Sequence, residues 1–299
     1  MPTTETPVFW IIWAGLALGV IVAVAIGLTA YGAMHWAKTT RALMFRLEES
    51  RIPLTTAHYN DHELEGLPMP VIRYFRAVLK NGQPIIAAAT VEHVGTFNTS
   101  PTGDQWKPFT SVQRVLTQRP GFLWNARIAM ALGVDVYVHD AYMAGEGTLN
   151  PAIAGLFSLA RPVNDRDLAQ GEFVRFFAET AWYPTALLPS QGMHWEAVDD
   201  HSAKATLADG TISATLLVRF NTAGLIDSVS VEARAAMVGN TVVQTPWEGR
   251  WSNYQMRGGM QVPLTGEAAW LHPAGRQPYW RGTIKSITYE FSDDQPIRA

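Results

Sequence analysis

Glu172, Arg175 and Glu179 stand at i, i+3 and i+7, so a helix through them carries all three in one stripe. A carboxylate held beside an arginine can orient a polar head group or act as a general acid or base. The commoner fate of such a stripe is a salt-bridge ladder on a solvated helix face, contributing a few tenths of a kcal/mol. His139-Asp140 with Glu146 forms a second acid–base group, at the end of a strand-like run where polar residues more often just build a turn. His58 and His62 lie at i,i+4, a spacing that binds zinc from a helix. The segment HYNDHE has no helical apolar face and no third ligand at a recognisable spacing, so it reads as a solvated loop.

Aromatic residues carry as much weight as the ionisable ones. Trp106, Trp124, Trp182, Trp195, Trp247, Trp251, Trp270 and Trp280 all fall after residue 100. They suit either an ordinary core or an apolar cavity with a few polar groups, the usual make-up of a small-molecule site. On a strand, Trp247 and Trp251 share one side and Arg250 takes the other. The candidate ligand-binding set is therefore Arg127, Asp140, Arg175, Glu179, Trp182, Trp247 and Arg250, with no residue singled out as catalytic. No metal or cofactor is expected. Gly145-Glu146-Gly147 is not a dinucleotide fingerprint, and the sequence holds no G-x-S-x-G elbow, Walker loop or His-Glu-x-x-His.

These residues need elements to position them. Glu172–Arg175–Glu179 belongs to a helix over 164–182, with Asn164 as N-cap, Asp165 and Asp167 in its first turn, and Tyr183-Pro184 as its stop. Around it the apolar period is two. Ile85–Phe97, Thr110–Thr117, Leu123–Ala131 and Val134–His139 read as strands. Thr211–Phe220 and Leu225–Arg234, joined by Asn221-Thr-Ala-Gly224, read as a hairpin whose wet face includes Glu232 and Arg234. Thr241–Thr245, Trp247–Arg257, Glu267–Leu271 and Tyr279–Phe291 supply further strands. Ahead of them, Pro70 opens a helix Val71–Leu79 that Asn81-Gly82 ends.

The N-terminus differs in kind. Val8 to Met34 is 27 residues without a charge, 22 of them apolar, longer than the ~20 a bilayer requires. Trp10 and Trp13 at one end and Tyr31 and Trp36 at the other match an aromatic belt. A cleaved signal peptide is the alternative, with Ala30-Tyr31-Gly32 as a passable cleavage site, but the first seven residues carry no Lys or Arg. Lys38, Arg41, Arg46 and Arg51 follow the run, which by the positive-inside rule places the large C-terminal part in the cytoplasm. Residues 36–50 read as a juxtamembrane helix with Ala42, Phe45 and Met44 towards lipid or core. The organisation is then 1–35 tail and anchor, 36–82 helical segment, 83–292 β-rich domain with the inserted helix, and 293–299 a loose tail.

Composition narrows the classes. Only 16% of the 299 residues are charged; without the N-terminal run the figure is 49 in 272, about 18% and still below the usual ~25%. With no cysteine there is no disulfide scaffold, thiolate nucleophile or iron–sulfur site. A net charge of −3 gives no footprint for nucleic acid. The class is α+β: a transmembrane helix, then a curved antiparallel sheet packed on helices.

At 171–189 the string GEFVRFFAETAWYPTALLP resembles the core of a bacterial domain-of-unknown-function family, G-E-x-x-R-x-x-A-E-x-x-W-x-P-T-A-L-L-P. The resemblance continues through GFLWNARI, VHDAYMAGEG, MHWEAVDD, TPWEGRW and PYWRG, covering most of the chain after about residue 66. It implies no activity. The order of GFLWNARI, sheet, interposed helix and long hairpins is also similar to LolA-type lipoprotein carriers, which implies a half-barrel around an apolar cavity and a place outside the cytoplasm. A membrane-anchored protein binding a hydrophobic or amphiphilic, lipid-like ligand is the expectation. The alternatives are a tethered enzyme using Glu179, Asp140 or Glu146 with Arg175, and a non-catalytic assembly factor.

Overall fold

The computed structural model describes residues 6–100, 103–131, 133–159, 166–238 and 241–292. Asn164, Asp165 and the tail 293–299 lie outside the described residues. The chain opens with one unbroken helix, α1 (Thr6–Glu49), instead of an anchor and a separate juxtamembrane helix. Nothing after Gly32 breaks it: residues 33–49 contain neither glycine nor proline. An 18-residue window of α1 has a mean hydropathy of 2.6 and none of it is buried, so the helix is long and apolar enough to cross a membrane. A shorter helix follows, α2 (Met69–Val78), with Pro70 in its first turn.

Thirteen strands then form one antiparallel sheet. They are β1 (Ile86–Asn98), β2 (Trp106–Leu116), β3 (Gly121–Ala131), β4 (Val134–Met143), β5 (Glu146–Ile153) and β6 (Phe157–Ser158). After α3 (Arg166–Ala178) and tight helical turns over 179–191 come β7 (His194–Asp199), β8 (Ser202–Asp209), β9 (Ile212–Phe220) and β10 (Ile226–Val238). The last three are β11 (Thr241–Arg257), β12 (Met260–His272) and β13 (Gly275–Phe291). The spatial order is β6-β5-β4-β3-β2-β1-β13-β12-β11-β10-β9-β8-β7, an open sheet whose two halves join through β1 and β13.

The sheet bends around α3. Strands β5 and β9 stand nine places apart, which in a flat sheet is about 43 Å. One helix nonetheless touches both. A Cβ on Gly147 of β5 would lie 2.7 Å from the Ala169 backbone, and Gln170 donates to the Ser213 carbonyl of β9 at 2.8 Å. Tyr142 of β4 also donates to Asp209 at the end of β8, at 2.8 Å. The main core fills this concave side, with Phe173, Phe176, Phe177, Trp182 and Tyr183 from α3 and the following turns packed among inward strand residues.

On the convex side the C-terminal half of α1 lies across β2–β4. Leu43, Met44 and Leu47 meet Ala88, Leu116, Leu123, Ala141 and Met143 there. Of the residues expected to face lipid or core, Met44 packs on the sheet, while Ala42 and Phe45 are exposed.

Candidate functional site

Arg175 reaches from α3 towards the inner face of β2 and β4. It pairs with Asp140 of β4, with Glu179 at 2.9 Å in the tight turn that follows α3 (the helix expected to run to 182 ends at Ala178), and donates to the Gln113 side-chain oxygen of β2 at 3.3 Å. Gln113 closes the ring by donating to the other Glu179 oxygen at 2.6 Å. The guanidinium lies 4.8 Å from the centre of Phe122 and 4.9 Å from that of Trp124, within cation–π range. Only 15% of the Arg175 side chain is exposed, and 12% and 11% of its carboxylate partners. The stripe is buried instead of forming a ladder on a solvated face, because the bent sheet covers this side of α3.

A second buried cation stands one helical turn away. Arg234 of β10 donates to the Gly171 carbonyl and to Tyr279, each at 3.1 Å, with its guanidinium 5.2 Å from Trp247 and 5.7 Å from Trp270. Trp247 donates to the same Tyr279 hydroxyl at 3.0 Å. Between the two cations sits Glu172. Burial, reinforced by the neighbouring Asp140 charge, pushes its carboxyl well above the usual range against the pull of Arg234 and Arg175. Glu172 thus shares the interior with Asp140 and Glu179 on one side and Arg175 and Arg234 on the other. Nearby His93 is pushed down to about 3 by burial and by Arg175, and so is neutral. Trp182 packs on it with ring centres 4.9 Å apart. His93 Nε2 and the indole nitrogens of Trp124, Trp182 and Trp251 are buried without a hydrogen-bond partner among the described residues.

The structure therefore brings Asp140, Arg175 and Glu179 together, sets Trp182 beside them and places Trp247 at the neighbouring cation. Arg127 and Arg250 lie elsewhere. Arg127 is on the convex face, paired with Asp135 and 5.6 Å from the centre of Tyr137. Arg250 is on the outer side of β11, bonded to Glu248 at 2.8 Å. The His139–Asp140–Glu146 group is divided by strand alternation: Asp140 faces inwards, His139 faces α1, and Glu146 meets Arg46 on the surface at 3.1 Å. His62 turns to Glu65 on the surface at 2.9 Å.

Sequence reasoning missed Gln113, His93 and Arg234. Gln113 sits at an inward position of β2, between Ser111 and Val115, so the alternation itself was the signal. Arg234 was hidden by a register shift between Val231 and Arg234, which reverses the phase of β10 and turns the arginine inwards.

Convex-face contacts around Trp36 form a separate site. Its ring stacks on His139 at 3.8 Å and 8°, and its indole donates to Asn125 at 2.9 Å. Thr40 donates to the Trp36 carbonyl at 2.9 Å, which leaves its oxygen to accept from His139 Nε2, 2.8 Å away. Burial pushes His139 down to about 4, consistent with that neutral tautomer. Beside Trp36 opens a cleft of about 400 Å³, lined by Glu92, Val94, Val112, Asn125, Arg127, Tyr137 and Lys285, among others.

The profile described as "Family of unknown function (DUF6920)" matches residues 65–289. The chain belongs to this family. Both buried clusters fall within the matched residues, whereas α1 precedes them. No curated protein matches the chain. Similar solved structures include a LolA superfamily protein from Nitrosomonas europaea, at 10% identity and a TM-score of 0.39, over 74% of this chain and 92% of that one. Another is a β-barrel-like protein of domain of unknown function DUF1849 from Brucella abortus, at 9% identity and a TM-score of 0.25, over 69% and 99% of the two chains.

Proposed function

We propose that this protein is a membrane-tethered binding protein that holds an amphiphilic, lipid-like molecule at the convex cleft beside α1. The observation that carries the reading is that cleft: about 400 Å³, within the ~300–1,000 Å³ of small-molecule sites, next to where the apolar helix leaves the sheet. Trp36, Tyr137, Val94 and Val112 offer apolar walls, and Arg127 and Lys285 offer cations to an anionic head group. On this reading the apolar part of α1 lies in the bilayer, with Lys38 and Arg41 favouring the cytoplasmic side for the sheet. The concave side, where a half-barrel cavity was expected, is filled by α3 and the turns after it, so the ligand is assigned to the convex face.

Catalysis has weaker support. Asp140 and Glu179 converge on Arg175, but each is sealed beneath α3 and the sheet, and Glu172 is buried where a substrate does not reach.

Native mass spectrometry and lipid extraction of the full chain, purified in mild detergent, test the proposal. A bound amphiphile is expected in the wild type and lost in Val112→Trp, which fills the cleft from a side chain that is 44% exposed and outside the core. An adduct unchanged by Val112→Trp refutes the site; a wild type without adduct refutes the function.

A further inference from the structure

We infer that the turn joining β5 and β6 is a second contact with the lipid bilayer, seating Phe157 and Leu159 in the interface where α1 emerges. The inference rests on the reading of α1 as a membrane span.

Three observations lead to it. The turn is locked to the helix: a Cβ on Gly32 would overlap the Ala154 carbonyl, and Gly155, at φ +70°, approaches the Gly32 carbonyl and Trp36 so closely that a side chain there is excluded. The level is then set by helix geometry. Phe9 to Tyr31 is 23 residues, about 34 Å of helix, against a hydrocarbon core of about 30 Å. The far boundary thus falls within a turn of Gly32, while the first charge, Lys38, stands about 9 Å further along the axis. Anything packed against Gly32 lies in the interfacial layer.

Just after the turn the chain exposes Phe157 at 64% and Leu159 at 57%, and the helix at the same level exposes Tyr31 and Met34 at 58% and 64%. Large apolar side chains on a two-residue edge strand (Phe157) and just beyond it (Leu159) are costly in water and favoured at a membrane interface. The sheet is therefore held by helix and turn together, which fixes its tilt and directs the Trp36 cleft to the bilayer surface.

Single-cysteine labelling tests this cleanly, because the protein has no native cysteine. Spin labels are placed on Phe157→Cys, on Leu18→Cys in the middle of the apolar run, and on Val198→Cys, an exposed site on β7. The full chain is reconstituted into vesicles of phosphatidylcholine with a minority of phosphatidylglycerol, and accessibility to oxygen and to a nickel chelate is measured. The expected order of the oxygen-to-nickel ratio is Leu18 highest, Phe157 clearly raised and Val198 lowest. A Phe157 label as open to nickel as the Val198 label, with Leu18 embedded, overturns the inference and leaves the span intact. A Leu18 label open to nickel overturns the span and the inference with it. Exclusion of both reagents at Phe157, with dipolar broadening that disappears on dilution with unlabelled protein, places a second copy on the turn and overturns the lipid assignment.

Discussion

Replacing Arg175 by methionine tests whether the charged stripe of α3 is truly sealed. Methionine keeps much of the stem's volume and removes only the cation. Asp140 and Glu179, with 12% and 11% of their side chains exposed, then lose the cation they share, while Arg234 stays bonded to Gly171 and Tyr279. Removing one partner from a buried pair costs about 3–5 kcal/mol, which lowers the unfolding midpoint of a domain this size by about 6–20 °C. Adding Asp140→Asn and Glu179→Gln should recover most of the loss. Denaturant unfolding of the full chain in detergent at pH 7, followed by tryptophan fluorescence, measures both. A loss below about 1 kcal/mol, the scale of an exposed pair, would refute the reasoning. So would a triple variant no more stable than Arg175→Met alone.

Three further outcomes follow from the same contacts. Gly32→Leu should force α1 off the β5–β6 turn, raising amide hydrogen exchange across 153–157; unchanged exchange there would disprove the lock. Trp36→Ala removes the ring stacked on His139 and the bond to Asn125, at a cost of about 3–5 kcal/mol, and by admitting water should let the His139 pKa climb from about 4 towards 6.5, readable by NMR titration. The wild-type pH profile has a sign that can be worked out. Between pH 4.5 and 6.5 an unfolded histidine takes a proton while His93 and His139 stay neutral in the fold, so each makes stability rise with pH by about 1.4 kcal/mol per unit. Glu172 acts in the opposite direction, because burial holds its carboxyl above the unfolded value, so its contribution falls as pH rises. Glu172→Gln should therefore make stability rise more steeply with pH than in the wild type; an unchanged slope would refute the upward shift.

Local patterns were legible where one face of an element meets water. In β9, alternating burial from Ile212 to Phe220 matches the alternation of residue types, and α2 begins at its proline-bearing turn as expected. Strands β7 and β8 were not, since HWEAVD is mostly exposed and SAKATLAD is rich in alanine, so neither carries a strong two-residue apolar period. The burial of α3 was illegible for another reason. Helical periodicity shows which residues share a stripe, but not what covers it. Here the cover comes from β4 and β5 on one side and β9 and β10 on the other, elements that meet only because the sheet bends. Arg234 adds a third kind of failure, in which one register shift moves a charge from the wet face to the core.

The buried charges raise a question of purpose, because apolar replacements of similar volume often match or exceed the stability of a buried ion pair. Packing alone leaves α3 under-determined. Phe173, Phe176 and Phe177 give it apolar surface on several sides, and an aromatic-lined trough accepts such a helix in more than one rotation. The polar contacts remove that freedom. Arg175 meets its partners only when α3 is turned towards β2 and β4, and the Gly171 carbonyl reaches Arg234 only at that same setting. Gly147 fixes the height, because the strand backbone there comes so close to Ala169 that a side chain is excluded. Three constraints from four strands thus define one orientation of the helix that fills the sheet. Filling the concave side in a single way is also what leaves the convex face, with α1, Trp36 and the open cleft, as the surface available for binding.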